Sequence, residues 1–99
     1  MLGNIGNKID DAGKATDIAR DYLSKQSGEL GLMMFRIEKV QPNTAENVWY
    51  VNCSLFTSIG ENKRTYYNLK LNTKTGKIIE VHKLKLDFET GKLIEIEQE

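Results

Sequence analysis

Residues that mark a particular chemistry are scarce in this chain. It has one cysteine, one histidine and one proline among 99 residues, and 14 basic residues balance 14 acidic ones. A lone cysteine forms no internal disulfide, and no cysteine-histidine cluster has the spacing of a metal site. Balanced charge creates no global field that would attract nucleic acid or an anionic membrane. We therefore expect no metal, no cofactor and no nucleic-acid partner.

Long hydrophobic stretches are also missing. No window approaches the roughly 18 apolar residues that a membrane-spanning helix needs. The N-terminal residues lack the apolar run of a secretory signal, so a cytoplasmic location is the default expectation. The length predicts one domain, because a chain of this size can bury roughly 60–70% of the surface that it exposes when unfolded.

What the chain does contain is a segment that occurs almost twice. Residues 69–81, LKLNTKTGKIIEV, return fifteen positions later as residues 84–96, LKLDFETGKLIEI, with eight identical pairs. Each copy alternates apolar and polar residues around a Thr-Gly-Lys sequence, which predicts a strand, a tight turn and a second strand. Gly76 and Gly91 would supply the left-handed residue of each turn. The C-terminal third is therefore predicted to be a β-meander.

One helix is predicted ahead of the meander. Apolar residues recur at steps of three and four through residues 14–27, as in an amphipathic helix, and Gly28 is a natural left-handed stop. The same spacing begins earlier, but three glycines within residues 1–13 oppose a helix there. We interpret residues 1–13 as a frayed leader, with a conditional helix that docks on a partner or a membrane surface as the alternative. The folded domain is predicted over residues 14–99.

Five strands are predicted after the helix, because the spacing of apolar residues changes to two from residue 30 onward. The predicted strands cover residues 32–40, 47–58, 64–72, a fourth from 77, and 92–97. Apolar residues of the fourth strand change face near His82 and Lys83, so we expect a β-bulge there. The predicted fold class is α+β: one N-terminal helix packed across one face of a five-stranded antiparallel meander sheet.

Neither of the two reactive side chains predicts catalysis. His82 has lysines beside it in the sequence rather than an orienting carboxylate, and one titratable group makes no catalytic constellation. Cys53 lies in mid-strand and is predicted to be a small core residue. Glu80 and Glu95 occupy equivalent positions of the repeat and are predicted to face outward. We therefore predict that the chain is not an enzyme.

The predicted sheet has a face that the helix cannot cover. The second strand carries large side chains on both faces, so the uncovered side should meet a protein partner, a second copy of the chain or the leader. The predicted contact residues are Val48, Tyr50, Phe56 and Tyr66. This arrangement predicts a non-catalytic protein-interaction or regulatory domain. A single-stranded nucleic-acid binder ranks lower because the charge is balanced.

The order of two motifs carries a family resemblance. The pattern AxxIAxxYL over residues 15–23 precedes strands that end in LNTKTGKI, residues 71–78. A leading helix followed by a late hairpin with an Asp/Asn-x-x-Thr-Gly-Lys turn resembles the PepSY-type domain and, more loosely, the cystatin-like α+β architecture. The resemblance covers about residues 14–83, and the chain departs from it by repeating the hairpin at 84–97.

That resemblance implies an inhibitory or interaction module without catalytic residues. It gives the alternative function, a peptidase inhibitor that would present residues 41–46 and 59–63 to a protease as a wedge. Related cystatin-like folds also suggest a small-ligand carrier with a cavity between helix and sheet. We rank this carrier last, because the residues predicted to face inward are apolar and leave no convergent polar groups.

Overall fold

The chain folds as a helix followed by an antiparallel sheet in the computed structural model, which describes residues 8–32, 35–56 and 64–96, without the side chains of residues 27–32. These residues form helix α1 (Ala12–Leu32) and strands β1 (Arg36–Asn43), β2 (Val48–Leu55), β3 (Thr65–Asn72), β4 (Ile78–Asp87) and β5 (Lys92–Glu95). The strands lie in the order β1-β2-β3-β4-β5, and each ladder is antiparallel. The predicted α+β class, with an N-terminal helix before a five-stranded meander, is confirmed.

The helix is longer at both ends than predicted. Asp11 caps its first turn, because the Asp11 Oδ1 atom accepts a hydrogen bond of 2.9 Å from the Lys14 N–H. The predicted stop at Gly28 is wrong, since α1 continues to Leu32. A glycine within a helix costs about 1 kcal/mol relative to alanine, which weakens a helix without ending it. No helix among the described residues combines the length and the apolar content needed to cross a membrane.

The hydrophobic core lies between α1 and one side of the sheet, which we call the helix side. Here α1 packs against β1 and β2. Its small Ala15 and Ala19 are fully buried and let the helix approach the strands closely. The core cluster contains Ile9, Ala15, Ala19, Leu23, Val51, Cys53, Leu55, Tyr67, Leu69 and Leu71. Cys53 is thus a core residue, as predicted.

The packed structure begins before the helix. Ile9 is only 2% exposed and belongs to the core cluster. Its backbone N–H donates a hydrogen bond of 2.8 Å to the carbonyl oxygen of Thr73, in the turn after β3. The described part of the predicted leader, residues 8–13, therefore supplies a core side chain and the helix cap. Residues 1–7 lie outside the described residues.

The β-bulge in β4 is not where the sequence predicts it. Pairing between β3 and β4 is regular at His82 and Lys83, opposite Asn68 and Tyr67. The register shifts instead at Ile79, which has no partner on β3 and is 48% exposed. Ile79 is the extra residue of this bulge, so Ile78 and Val81 on either side of it both lie on the helix side. The apolar residues do change side after Val81, because Leu84 is paired with Tyr66, but no bulge accompanies that change.

Strand ends also differ from the prediction. β1 covers Arg36–Asn43 rather than residues 32–40, and Pro42 lies within it, opposite Trp49. An edge strand tolerates proline because one row of its backbone groups has no ladder to join. β2 ends at Leu55 rather than at residue 58. The segment between the second and third predicted strands, residues 59–63, lies outside the described residues.

The two copies of the repeat form closely similar turns. Gly76 and Gly91 have positive φ angles of 73° and 74°, the conformation that glycine adopts without steric cost. Their N–H groups bond the carbonyl oxygens of Asn72 and Asp87 at 2.8 and 2.7 Å. The side chains of Asn72 and Asp87 in turn accept backbone N–H groups within each turn. The repeated turn chemistry therefore builds β3-β4 and β4-β5 as successive hairpins.

Candidate functional site

The side of the sheet that faces away from α1, which we call the open face, carries a row of polar side chains. Val51 and Cys53 of β2 point to the core, so Asn52 and Ser54 point to the open face. The register places Asn52 opposite Asn68 of β3, and Ser54 opposite Tyr66. The centre of the open face is therefore polar.

A groove of about 230 Å³ lies on the open face. Its lining includes Glu38, Lys39, Asn52, Tyr66, Asn68 and Leu93. Lys39 belongs to β1 and Leu93 to β5, so side chains of the two outermost strands border the same groove. The sheet must curl toward its open face for this to occur, as strongly twisted sheets do. We call this concave region the open-face groove.

One end of the groove is fixed by a buried hydroxyl. Ser54 is fully buried, and its Oγ atom donates to Glu38 Oε2 at 2.9 Å and accepts from Arg64 Nη1 at 3.0 Å. A register shift between Ile37 and Lys39 makes Glu38 the extra residue of a bulge in β1. Such a bulge re-aims a side chain, which here reaches Ser54.

The Glu38 carboxylate is held in its charged form. A hydrogen bond of 2.7 Å from Arg36 Nε to Glu38 Oε2 lowers the pKa of Glu38 below its ordinary value, and the bond from Ser54 acts in the same direction. Hydrogen bonds to the charged form favour ionisation. The groove therefore has an ionised carboxylate at one end, paired with Arg36 and with Lys39 nearby.

The centre of the groove contains a pair of amides with unused hydrogen-bonding groups. Asn52 Nδ2 donates to Asn68 Oδ1 across the β2-β3 ladder. Among the described residues, Asn52 Oδ1 and Asn68 Nδ2 have no hydrogen-bond partner, and neither atom is buried. One acceptor and one donor are therefore presented side by side in the groove.

The four predicted contact residues do not form one apolar strip. Tyr66 lines the open-face groove. The Tyr50 hydroxyl donates a hydrogen bond of 3.2 Å to Glu46. The centre of the Phe56 ring lies 5.0 Å from the guanidinium carbon of Arg64. Val48 is only 5% exposed. Asn52 and Ser54 lie between Tyr50 and Phe56 in the sequence, and both face the open side of β2, which ends at Leu55. The structure thus brings Tyr66 into the groove and leaves the other three around it.

Sequence reasoning missed the partners of the one histidine. His82 Nδ1 lies 2.7 Å from Glu95 Oε2, and His82 Nε2 lies 3.3 Å from Glu80 Oε1. These contacts, with the Glu95 bond the largest, raise the pKa of His82 above its ordinary value. The two glutamates occupy equivalent positions of the repeat, and that equivalence was the signal that could have predicted the contact. Within the described residues, no group of three or more potential ligands is arranged to hold a metal ion.

The Cys53 thiol is buried in the core on the helix side of the sheet and has low reactivity. Burial raises the pKa of Cys53 to about 12, so the thiolate that reacts with electrophiles is scarce at neutral pH. The negative charge of Glu38 adds to the same shift. This environment agrees with the predicted core role.

Only one of the two predicted inhibitor loops is described. Residues 44–47 form a tight turn in which the Asn47 N–H bonds the Thr44 carbonyl at 3.3 Å. Asn43 closes the same turn by accepting the Glu46 N–H at 3.2 Å. Residues 59–63 are outside the described residues.

Comparisons with protein-family models, curated proteins and solved structures give no match to this chain. The site must therefore be interpreted from its own chemistry.

Proposed function

We propose that this chain is a non-catalytic protein-interaction domain whose open-face groove binds an extended peptide segment of a partner protein. The observation that carries the proposal is the unused acceptor and donor of Asn52 and Asn68 at the centre of a concave sheet face. A peptide unit presents one N–H and one C=O group, which match that pair. Tyr66 and Leu93 also line the groove and supply apolar surface for a side chain of the peptide.

The size of the groove favours a peptide side chain over a free cofactor. Sites for drug-sized ligands usually enclose roughly 300–1,000 Å³, whereas this groove has about 230 Å³. One large side chain fits such a volume, and the rest of the segment can lie along the open face. Affinity would then come from several modest contacts along an extended chain.

The chemistry of the groove supports binding rather than catalysis. The Ser54 hydroxyl, beside the groove, is fully buried and already bonded to Glu38 and Arg64. A nucleophile has to be accessible and paired with a base that takes its proton. The lowered pKa of Glu38 makes that carboxylate a poor proton acceptor. These groups instead shape and charge one end of the groove.

The peptidase-inhibitor alternative places binding elsewhere. It would use residues 41–46, where β1 runs into the four-residue turn closed by Asn43 and Thr44. Wedge-type inhibition requires a loop that projects into a protease cleft, and a turn this tight projects little. The open-face groove is therefore our preferred binding site.

Leu93 and Ile94 provide a matched test of the proposal. They are neighbours on β5, with exposed fractions of 44% and 41%, but alternate residues of a strand lie on opposite sides and only Leu93 lines the groove. Peptides would be selected from a displayed random library against the wild-type protein, and their affinities measured by isothermal titration calorimetry. We expect Leu93→Ser to weaken binding at least tenfold, or about 1.4 kcal/mol, and Ile94→Ser to change it by less than about twofold.

An NMR titration with the same peptides locates the contact. The side-chain amide signals of Asn52 and Asn68 should shift on binding, while those of Asn43, outside the groove, should stay in place. A library that yields no binder, or binders that Leu93→Ser does not weaken, would refute binding in the groove. Inhibition across a panel of peptidases that Leu93→Ser leaves unchanged would favour the inhibitor alternative instead.

A further inference from the structure

The outer edge of β5 has backbone groups that no described strand uses. β5 pairs with β4 and ends the sheet order. The Ile96 N–H donates a hydrogen bond of 2.7 Å to the Lys83 carbonyl oxygen, so this N–H points toward β4. Because the direction alternates along a strand, the N–H and C=O groups of Leu93 and Glu95 point away from the sheet. An unpaired row of this kind is a template for another strand.

The other edge of the sheet is protected. β1 contains Pro42, which has no N–H to donate, and a register shift at Glu38. Proline and bulges are two of the features by which proteins prevent strand addition at an edge. The ladder between β4 and β5 has no register shift, and β5 (Lys92–Glu95) contains no proline. The two edges of one sheet thus differ in their ability to accept a further strand.

A row of lysines lies beside this open edge. Three lysines lie on the helix side of the β4-β5 hairpin: Lys83 and Lys85 on β4, and Lys92 on β5. On β3, Tyr67 is paired with Lys83 and Thr65 with Lys85, and Asp87 of β4 is paired with Lys92. Helix α1 packs on β1 and β2, and Ile94 in the middle of the row is 41% exposed. Within the described chain, no ion pair joins any of the three lysines to a carboxylate.

Among the paired residues of β4 and β5 that the structure describes, Asp87 is the one carboxylate on the same side, and it does not neutralise this row. Asp87 uses its Oδ1 atom to accept the Glu89 N–H of its own turn at 3.0 Å. Three positive charges therefore face one negative charge there. On the open face, the edge strand carries Leu93, paired opposite Leu86, and Glu95, whose carboxylate is bonded to His82. The edge is consequently basic on the helix side, and its apolar surface on the open face is at Leu93.

We propose that the β5 edge binds a second type of segment, an extended acidic strand of a partner protein, which adds to the sheet as a sixth strand. Its backbone bonds Leu93 and Glu95, and its alternate acidic side chains lie over Lys85 and Lys92. The intervening side chains are apolar and contact Leu93 on the open face. The edge shares Leu93 with the open-face groove, so Leu93→Ser affects both sites. Glu95→Pro and the lysine variants below test the edge alone, and the Asn52 and Asn68 amide signals test the groove alone.

A second copy of this chain fits the edge less well. Pairing β5 with its own symmetry mate would bring two rows of lysines together, and like charges on neighbouring strands are destabilising. The strand has four residues, and stable interfaces bury roughly 1,200–2,000 Å² in total. Charge complementarity therefore favours an acidic partner segment over a dimer.

The test uses a synthetic peptide that alternates glutamate and valine over eight residues. Its affinity for the full chain is measured by calorimetry at low and at moderate salt. A peptide of the same composition, with its glutamates and valines in two blocks, is the comparison. We expect the alternating peptide to bind at least tenfold more tightly than the block peptide. We also expect the Leu93 and Glu95 amides to become protected from hydrogen exchange.

Two pairs of variants separate charge from backbone recognition. The double variant Lys85→Glu/Lys92→Glu should reduce affinity at least tenfold. The control double variant Lys74→Glu/Lys77→Glu changes two exposed lysines of the turn between β3 and β4, and it should change affinity less than about twofold. Glu95→Pro removes one outward N–H and no ladder bond, so it should prevent binding, while Glu95→Gln should not. Circular dichroism confirms that each variant is folded.

Several outcomes would overturn the proposal. Equal binding of the block peptide, or binding that survives Glu95→Pro, would show attraction to charge alone. Tighter binding to a single-stranded oligonucleotide than to the alternating peptide would identify a different class of partner. Sedimentation showing a dimer that Glu95→Pro dissociates would assign the edge to a second copy of the chain.

Discussion

Truncation of Ile9 tests whether the segment before α1 belongs to the folding unit. Ile9→Ala removes three carbon atoms from a core side chain that is 2% exposed. At roughly 0.8 kcal/mol per buried carbon, the transfer contribution alone is about 2.4 kcal/mol. The cavity left behind raises the expected loss of unfolding free energy to about 3 kcal/mol. For a domain of this size, that loss lowers the Tm by roughly 12–24 °C.

Urea unfolding measures this loss directly. Trp49, the one tryptophan, packs against the core cluster and provides the fluorescence signal. Ile79→Ala is the matched control, because Ile79 is 48% exposed at the β4 bulge and its truncation should cost less than about 1 kcal/mol. If Ile9→Ala costs no more than Ile79→Ala, Ile9 does not anchor the segment and the reasoning is refuted.

Three further predictions concern titration, thiol reactivity and turn geometry. Glu95 raises the pKa of His82 in the fold, so His82 stabilises the protein below pH 6.5 and loses this contribution as the pH rises through the raised pKa. The imidazole ¹H NMR signals should titrate above pH 6.5, and Glu95→Gln should lower that midpoint. Cys53, whose pKa burial raises to about 12, should react with an aromatic disulfide at pH 8 only when urea unfolds the chain. Gly91 has a φ of 74°, so Gly91→Ala should cost about 1–2 kcal/mol in urea unfolding and Gly91→Asn less. A midpoint at or below pH 6.5, a thiol that reacts in native buffer, or an alanine variant as stable as wild type would contradict the respective argument.

Turn chemistry made the meander predictable. The Thr-Gly-Lys sequences that contain Gly76 and Gly91 specify tight turns through local geometry, and both glycines have the expected positive φ. Alternation of apolar residues then fixed which side of β2 and β3 faces the core, because a strand has a strict period of two. These signals act over a few residues, so they are readable without knowledge of the tertiary structure.

The features that the sequence did not reveal depend on contacts between distant segments. Ile9 lies in a glycine-rich stretch that looks unstructured locally, and only its contact with the core and Thr73 shows its role. The bulge at Ile79 depends on the register with β3. The predicted C-terminal end of α1 was wrong because Gly28, which local propensity treats as a stop, is accommodated within the helix.

For the open-face groove, the sequence indicated the side of the sheet and one lining residue but not the chemistry. The sequence indicated the open face and Tyr66, which lines the groove. It gave no indication that Lys39 and Leu93, on opposite edges of the sheet, border the same groove, because alternation describes faces and not curvature. The Asn52 and Asn68 pair likewise appears only once the β2-β3 register is known.

The order of the strands in the sheet repeats their order in the chain, and this bears on the speed of folding. Among the strands that the structure describes, every ladder joins two that are consecutive in the sequence. Each hairpin can close over a short stretch of chain, so little loop entropy is lost before pairing is gained. Topologies with such local contacts fold rapidly. We therefore expect the sheet to form one hairpin at a time, on the order of milliseconds, faster than sandwich proteins of equal length whose strands must find remote partners.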